Sequence, residues 1–205
     1  MHPPAHRAAP DNLARTGNRK RSSMESEAVI PTLSRRIGML AIVDTQYIKH
    51  HYAPGLTPST PAIVNPEHMF IAGAHLRSGA GTLEFHARVG DIVSIRCTSA
   101  AHNSNDAVIL YKIQTQPAAT EIVLDSFEQR IVTRRNAVAA DPDSASRDGL
   151  PALETAVNFS SFSSQIRAHG TEEIRIEFAL YALTQGRQTQ SLVGYYCCDL
   201  NISIA

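Results

Sequence analysis

The 205-residue chain carries 19 Lys and Arg against 19 Asp and Glu, a formal net charge of zero. That length holds one domain with a continuous core and is short for two. Zero net charge gives no general pull toward nucleic acid or an anionic membrane, so any partner has to be argued from a local site.

No apolar run approaches the roughly 18 residues that span a bilayer, and the N-terminus lacks the apolar stretch of a secretory signal. A cytoplasmic location is therefore expected, with any release by a route that needs no classical signal peptide. Cys97, Cys197 and Cys198 are odd in number and stand in no ligand-type spacing, which argues against a disulfide scaffold or a metal finger. On a strand the vicinal pair points to opposite faces, and buried free cysteines behave as small hydrophobes.

The first 36 residues are rich in Pro, Ala, Asn and Ser and show no hydrophobic period. Residues 1–35 are therefore expected to form a disordered basic tail, too polar to offset the entropy of ordering. The run Arg19-Lys20-Arg21 reads as solvated chain rather than a nucleic-acid patch, and Met24 offers a second translation start. Residues 36–205 are expected to form a single domain.

From Arg36 the sequence becomes short apolar stretches: Ile37 to Val43, Met69 to Ala74, Leu83 to Val89, Ile92 to Cys97, Val108 to Ile113, Ile122 to Leu124, Ile174 to Leu183 and Leu192 to Cys198. Leu83, Phe85, Ala87 and Val89 alternate with Glu84, His86 and Arg88, and Ile174, Ile176 and Phe178 with Arg175 and Glu177. A period of two marks strands with one buried face. Turn clusters separate the stretches, among them APGLTPSTP, VGD, HNSND, DPDSASRDGLP and TQGRQ. The pattern predicts an all-β fold, an antiparallel β-sandwich of jelly-roll or Greek-key type. Ser126 to Ala140 fits either loop or strand, its Ile131-Val132-Thr133 centre favouring extended structure.

Local catalytic and metal signals are each weaker than a structural reading. The nine histidines form no HExxH or finger spacing, and His50-His51 reads as a solvated pair on extended chain. Ser160, Ser161, Ser163 and Ser164 sit in no nucleophile elbow, and suit a Ser-rich strand edge anchored by Phe159 and Phe162. Asp141, Asp143 and Asp148 lack the full calcium-loop spacing. No catalytic residue, metal or cofactor is expected. Two polar groups remain as binding candidates: Asn103, Asn105 and Asp106 in the turn before Tyr111, and Gln188 and Gln190 with Tyr195 near the C-terminus. Such amides and rings suit sugar hydroxyls, although they equally build a turn and a hairpin.

Taken together, MLAIVDTQYIKHHY, VGDIVSIRCTS, NSNDAVILYKI, GLPA, NFSSFSSQI and FALYALTQGRQTQSLVGYY resemble, in content and order, the bacterial inclusion-body proteins of the PixA type and their quorum-regulated AidA relatives. The resemblance implies a compact β-sandwich made abundantly at high cell density, packed in inclusions or tied to virulence toward invertebrate hosts. It implies no enzyme and carries over no catalytic residue. The long basic tail, the TQGRQ turn and Cys197-Cys198, where aromatics are expected, depart from that pattern. Two functions follow as expectations: a quorum-regulated accessory protein that self-associates into a homo-oligomer, or a lectin-like module that binds a glycan.

Overall fold

A computed structural model describes residues 34–205 apart from positions 74, 75, 80, 117–121, 185 and 187. Residues 1–33 of the expected tail, with Met24 and the basic run at 19–21, lie outside the described residues. In chain order the elements are β1 (Arg36–Val43), α1 (Thr45–His51), β2 (Ala62–Ile63), a 3-10 turn (Pro66–His68), β3 (Met69–Gly73), β4 (Arg77–Gly79), β5 (Thr82–Phe85), β6 (Ile92–Ser99), β7 (Asp106–Thr115), β8 (Glu128–Ala139), β9 (Leu153–Gln165), β10 (Gly170–Leu183) and β11 (Gln190–Ile204).

Two sheets pack as a sandwich. Sheet A has the order β3-β1-β6-β9-β8, and sheet B the order β4-β5-β11-β10-β7, with β2 beside β11. Alternation sets what each strand buries: Ile37, Met39, Ala41 and Val43 of β1 face inward, as do Ile174, Ile176, Phe178 and Leu180 of β10. Each of these side chains other than that of Ala41 contributes about 1.5–3 kcal/mol on leaving water. The predicted sandwich is present, but its sheets are mixed rather than wholly antiparallel. β1 runs parallel to β6, and β11 runs parallel to β5 and β2. The link from β1 to β6 passes through β4 and β5 in the opposite sheet, and such a crossover returns the chain parallel where a hairpin returns it antiparallel.

The chain between α1 and β3 pairs along the edge of β11, and its Pro58 carbonyl accepts the Tyr111 hydroxyl (3.1 Å) on the outer face of sheet B. The Gly55 amide donates to the Tyr195 carbonyl (3.2 Å), the Tyr195 amide donates back (3.0 Å), and the Val64 amide donates to the Cys197 carbonyl (2.8 Å). Both vicinal cysteines are buried although they point to opposite faces: Cys198 lies in the core, and Cys197 lies on the outer face of β11, level with Ile63 of β2. Burial pushes both thiols up, Cys198 to about 12, so they stay protonated at neutral pH.

Two local expectations change and one open alternative resolves to strand. His50-His51 lies on helix α1, not on extended chain. Asp44 caps that helix by accepting the Tyr47 amide (3.0 Å), and Ile48 inserts fully into the core. The ambiguous stretch after Ser126 is strand β8. Phe159 and Phe162 are an odd number of residues apart on β9, so only Phe162 anchors the core while Phe159 is 46% exposed on the outer face.

β8 and the first part of β9 form an arm. Residues 153–159 of β9 are mostly exposed, and no residue of β8 is fully buried. β9 pairs with β6 only from Phe162 to Gln165, then runs on with β8 alone. Past Ile95 the arm diverges from the sandwich, so the face that would continue the core is bare there. Ile131 (63% exposed) and Val138 (76%) lie on that face, opposite Ser160 and Glu154.

Candidate functional site

The turn that leads into β7 is built by the groups singled out in the sequence. His102 and Asn103 take left-handed backbone (φ 52° and 58°), a conformation that asparagine tolerates better than most residues. Asn103 Oδ1 then accepts the amides of Ser99 (2.8 Å) and Val108 (3.0 Å), tying the end of β6 to β7. Gln190, at the start of β11, donates Nε2 to the carbonyls of Asn103, Ser104 and Asn105 at 2.9–3.2 Å. Asn105 contributes its carbonyl, which accepts the Leu183 amide (3.0 Å).

Asp106 is 2% exposed and serves helix α1. Its carboxylate accepts Thr45 Oγ1 (3.0 Å) and Gln46 Nε2 (3.1 Å), and Lys49 Nζ lies 2.8 Å from both of its oxygens. A shallow depression of about 550 Å³ opens beside it, lined by Gln46, Lys49, Asn105 and Thr184. The structure thus gathers Asn103, Asn105, Asp106 and Gln190 at one end of the sandwich. Their polar atoms go largely into holding strands and helix together. Tyr195 lies elsewhere, on the outer face of sheet B with its ring edge-on to Tyr111 (5.9 Å), and Gln188 is exposed in the β10–β11 turn.

The other flagged residues also carry structure. Tyr47 stacks between His51 and His68, with ring centroids 3.9 Å from each, and His51 Nδ1 donates to the Tyr47 carbonyl (2.9 Å). Asp141 and Asp148 accept the amides of Asp143 (2.9 Å) and Leu150 (3.0 Å), making Asx turns at the tip of the arm. Ser164 donates to the Asp125 carbonyl (2.7 Å), and Ser163 donates to Ser94 Oγ (3.1 Å). Among the described residues no group of three or more His, Cys, Asp or Glu side chains could hold a metal ion, and no helix is long and apolar enough to cross a membrane.

Two further concavities lie on the outer face of sheet A, where no binding candidate is expected from the sequence. One, of about 590 Å³, opens between β6 and the arm and holds Arg36, Arg96, Arg130 and Arg134 around Val132 and Phe159. The next, of about 700 Å³, shares Arg36 and Arg130 but adds Asp125 and Glu128. These arginines come from three strands far apart in sequence. The one legible signal is Arg130-x-Val132-x-Arg134, a period-two run that puts all three side chains on one face of a strand.

No curated protein sequence matches the chain. Among solved structures, the crystal structure of an inclusion body protein of the PixA family from Burkholderia cenocepacia J2315 is similar, at 29% identity and a TM-score of 0.69, covering 86% of this chain and 99% of that one. A cysteine protease inhibitor from Entamoeba histolytica aligns over 70% of this chain and 94% of its own at 11% identity, and its TM-score of 0.22 carries no argument. The PixA inclusion body protein family itself matches residues 35–204, from the start of β1 to the end of β11. The chain belongs to the PixA inclusion body protein family.

Proposed function

We propose that this protein is a non-enzymatic structural protein that self-associates through the β8–β9 arm, and that this association underlies packing into inclusions. The observation that carries the reading is the bare core-side face of the arm, with Ile131 and Val138 in solvent beside an edge strand of 12 residues. Long unpaired edges with exposed apolar side chains are templates for pairing with another copy. Arg130, Arg134 and Arg135 stand on the same strand and repel their counterparts in a second copy, so association strengthens as salt screens them. Following the family resemblance, the assembled protein acts as a quorum-regulated accessory or virulence-associated factor, held in the cytoplasm or inclusions and released without a classical signal peptide. A glycan-binding role is the weaker reading, because the side-chain polar atoms of Asn103, Asp106 and Gln190 are already bonded within the chain.

Sedimentation velocity over a concentration series tests the reading. The wild-type chain is expected to shift to larger species with concentration and with added salt, and Ile131→Glu with Val138→Glu to remain monomeric under the same conditions. A wild-type chain that stays monomeric throughout, or a double variant that associates equally well, refutes it.

A further inference from the structure

The cleft on the outer face of sheet A is an unusual place for charge. Arg130 and Arg134 are four residues apart on one strand, about 13 Å by strand rise, and the last β6–β9 pair, Ile95 with Phe162, brings Arg96 level with Ser161, the partner of Arg130. The Arg36 guanidinium reaches across from β1 to donate to Ser163 Oγ (3.1 Å). All four arginines line one cleft of about 590 Å³ that no carboxylate lines. The ion pairs among the described residues engage Arg35, Lys49, His68, Lys112, Arg167 and Arg175, not these four. Glu128 shares the outer face but belongs to the neighbouring depression, and Asp125 there is held by Arg167 at 2.6 Å.

Four like charges gathered in one concavity raise the local potential and draw in an anion. The planar guanidinium fork suits oxyanions, which accept two parallel N–H bonds from it. Phe159, 46% exposed, supplies an aromatic wall in the same cleft, and the volume is in the range of small-molecule sites. We propose that this cleft binds a multiply charged phosphate ester of about nucleotide size. Arg96, Arg130 and Arg134 take the phosphate oxygens, and a ring or other flat portion lies on Phe159. The cleft opens on the side of the arm opposite Ile131, and Val138, at the far end of β8, borders both faces.

Isothermal titration of the full chain with ATP, inorganic tripolyphosphate and adenosine tests it. ATP and tripolyphosphate are expected to bind, adenosine not. A charge-assisted hydrogen bond lost at each site weakens binding by about tenfold or more, so Arg130→Gln with Arg134→Gln is expected to weaken both anions by about 100-fold. Phe159→Ala is expected to weaken ATP alone, and Arg77→Gln, on sheet B, to change nothing. If the double variant fails to fold, Arg96→Gln gives the same reading at about tenfold. The proposal is overturned if adenosine binds as well as ATP, if the arginine variants bind like wild type, or if a duplex DNA 20-mer binds while ATP and tripolyphosphate do not.

Discussion

Helix α1 has seven residues, of which only Thr45 and Ile48 are buried, and an isolated helix of that length does not persist in water. Its place depends on Asp106, whose replacement by alanine removes three acceptor contacts at once. The Thr45 hydroxyl, in a residue only 1% exposed, is left without its partner, a loss of about 1–3 kcal/mol. Gln46 and Lys49 recover water more readily, the Lys49 side chain being 20% exposed, and together add about 1–2 kcal/mol. Against this stands the relief of no longer burying a carboxylate, so the net expectation for Asp106→Ala is about 2–4 kcal/mol of lost stability. Urea unfolding measures it, the midpoint falling by about 1–2 M at unchanged slope for a slope of about 2 kcal/mol/M. In a double-mutant cycle, Asp106→Asn and Lys49→Met are expected to couple by about 1 kcal/mol. A loss under about 0.5 kcal/mol, or no coupling, refutes the view that this carboxylate fastens the helix.

Other parts of the structure give equally definite outcomes. A Cβ built on Gly55 lies 2.6 Å from the carbonyl oxygens of Thr60 and Tyr195, so Gly55→Ala is expected to cost about 1–3 kcal/mol in thermal unfolding. The Tyr196 hydroxyl is buried with no hydrogen-bond partner among the described residues, so Tyr196→Phe is expected to be neutral or stabilising by about 1 kcal/mol, and a clear destabilisation contradicts this. The Arg88 amide, with the Arg35 amide, holds the buried Asp91 carboxyl below the usual carboxylate range. The native state therefore binds fewer protons than the unfolded chain in that window; the stabilisation is complete above the ordinary carboxylate value and is lost as pH falls through the lowered one. Urea midpoints across the acid range are expected to fall less steeply for Asp91→Asn than for wild type.

Legibility in the sequence follows how each residue's surroundings are determined. The alternation of Ile174, Ile176 and Phe178 announces β10 because the contrast between core and outer face is written into the residues themselves. β8 carries no such contrast, since Arg130, Ile131, Thr133 and Arg134 are all exposed, and its extended form comes from pairing with β9. α1 escapes notice because its stability comes from Asp106, a distant residue in sequence, which no local window contains. Parallel pairing of Arg36–Val43 with Ile92–Ser99 depends on the path of the intervening chain. At the candidate site, the polar turn at 102–106 was visible as a turn with its alternative as a binding site. The arginine cleft was not, because Arg36, Arg96 and Arg130 meet only once three strands are side by side.

The position of β11 has a consequence in time. This strand lies in the middle of sheet B, between β10 on one side and β5 and β2 on the other, yet it is the last strand in chain order. β5 and β2 leave the ribosome long before the neighbour they need exists, and synthesis at about 5–20 residues per second leaves them waiting for seconds with their edges open. Sheet B is complete only once Gln190–Ile204 lies between β10 and β5. A nascent chain of this protein is thus prone to pair with others until Gln190–Ile204 has emerged.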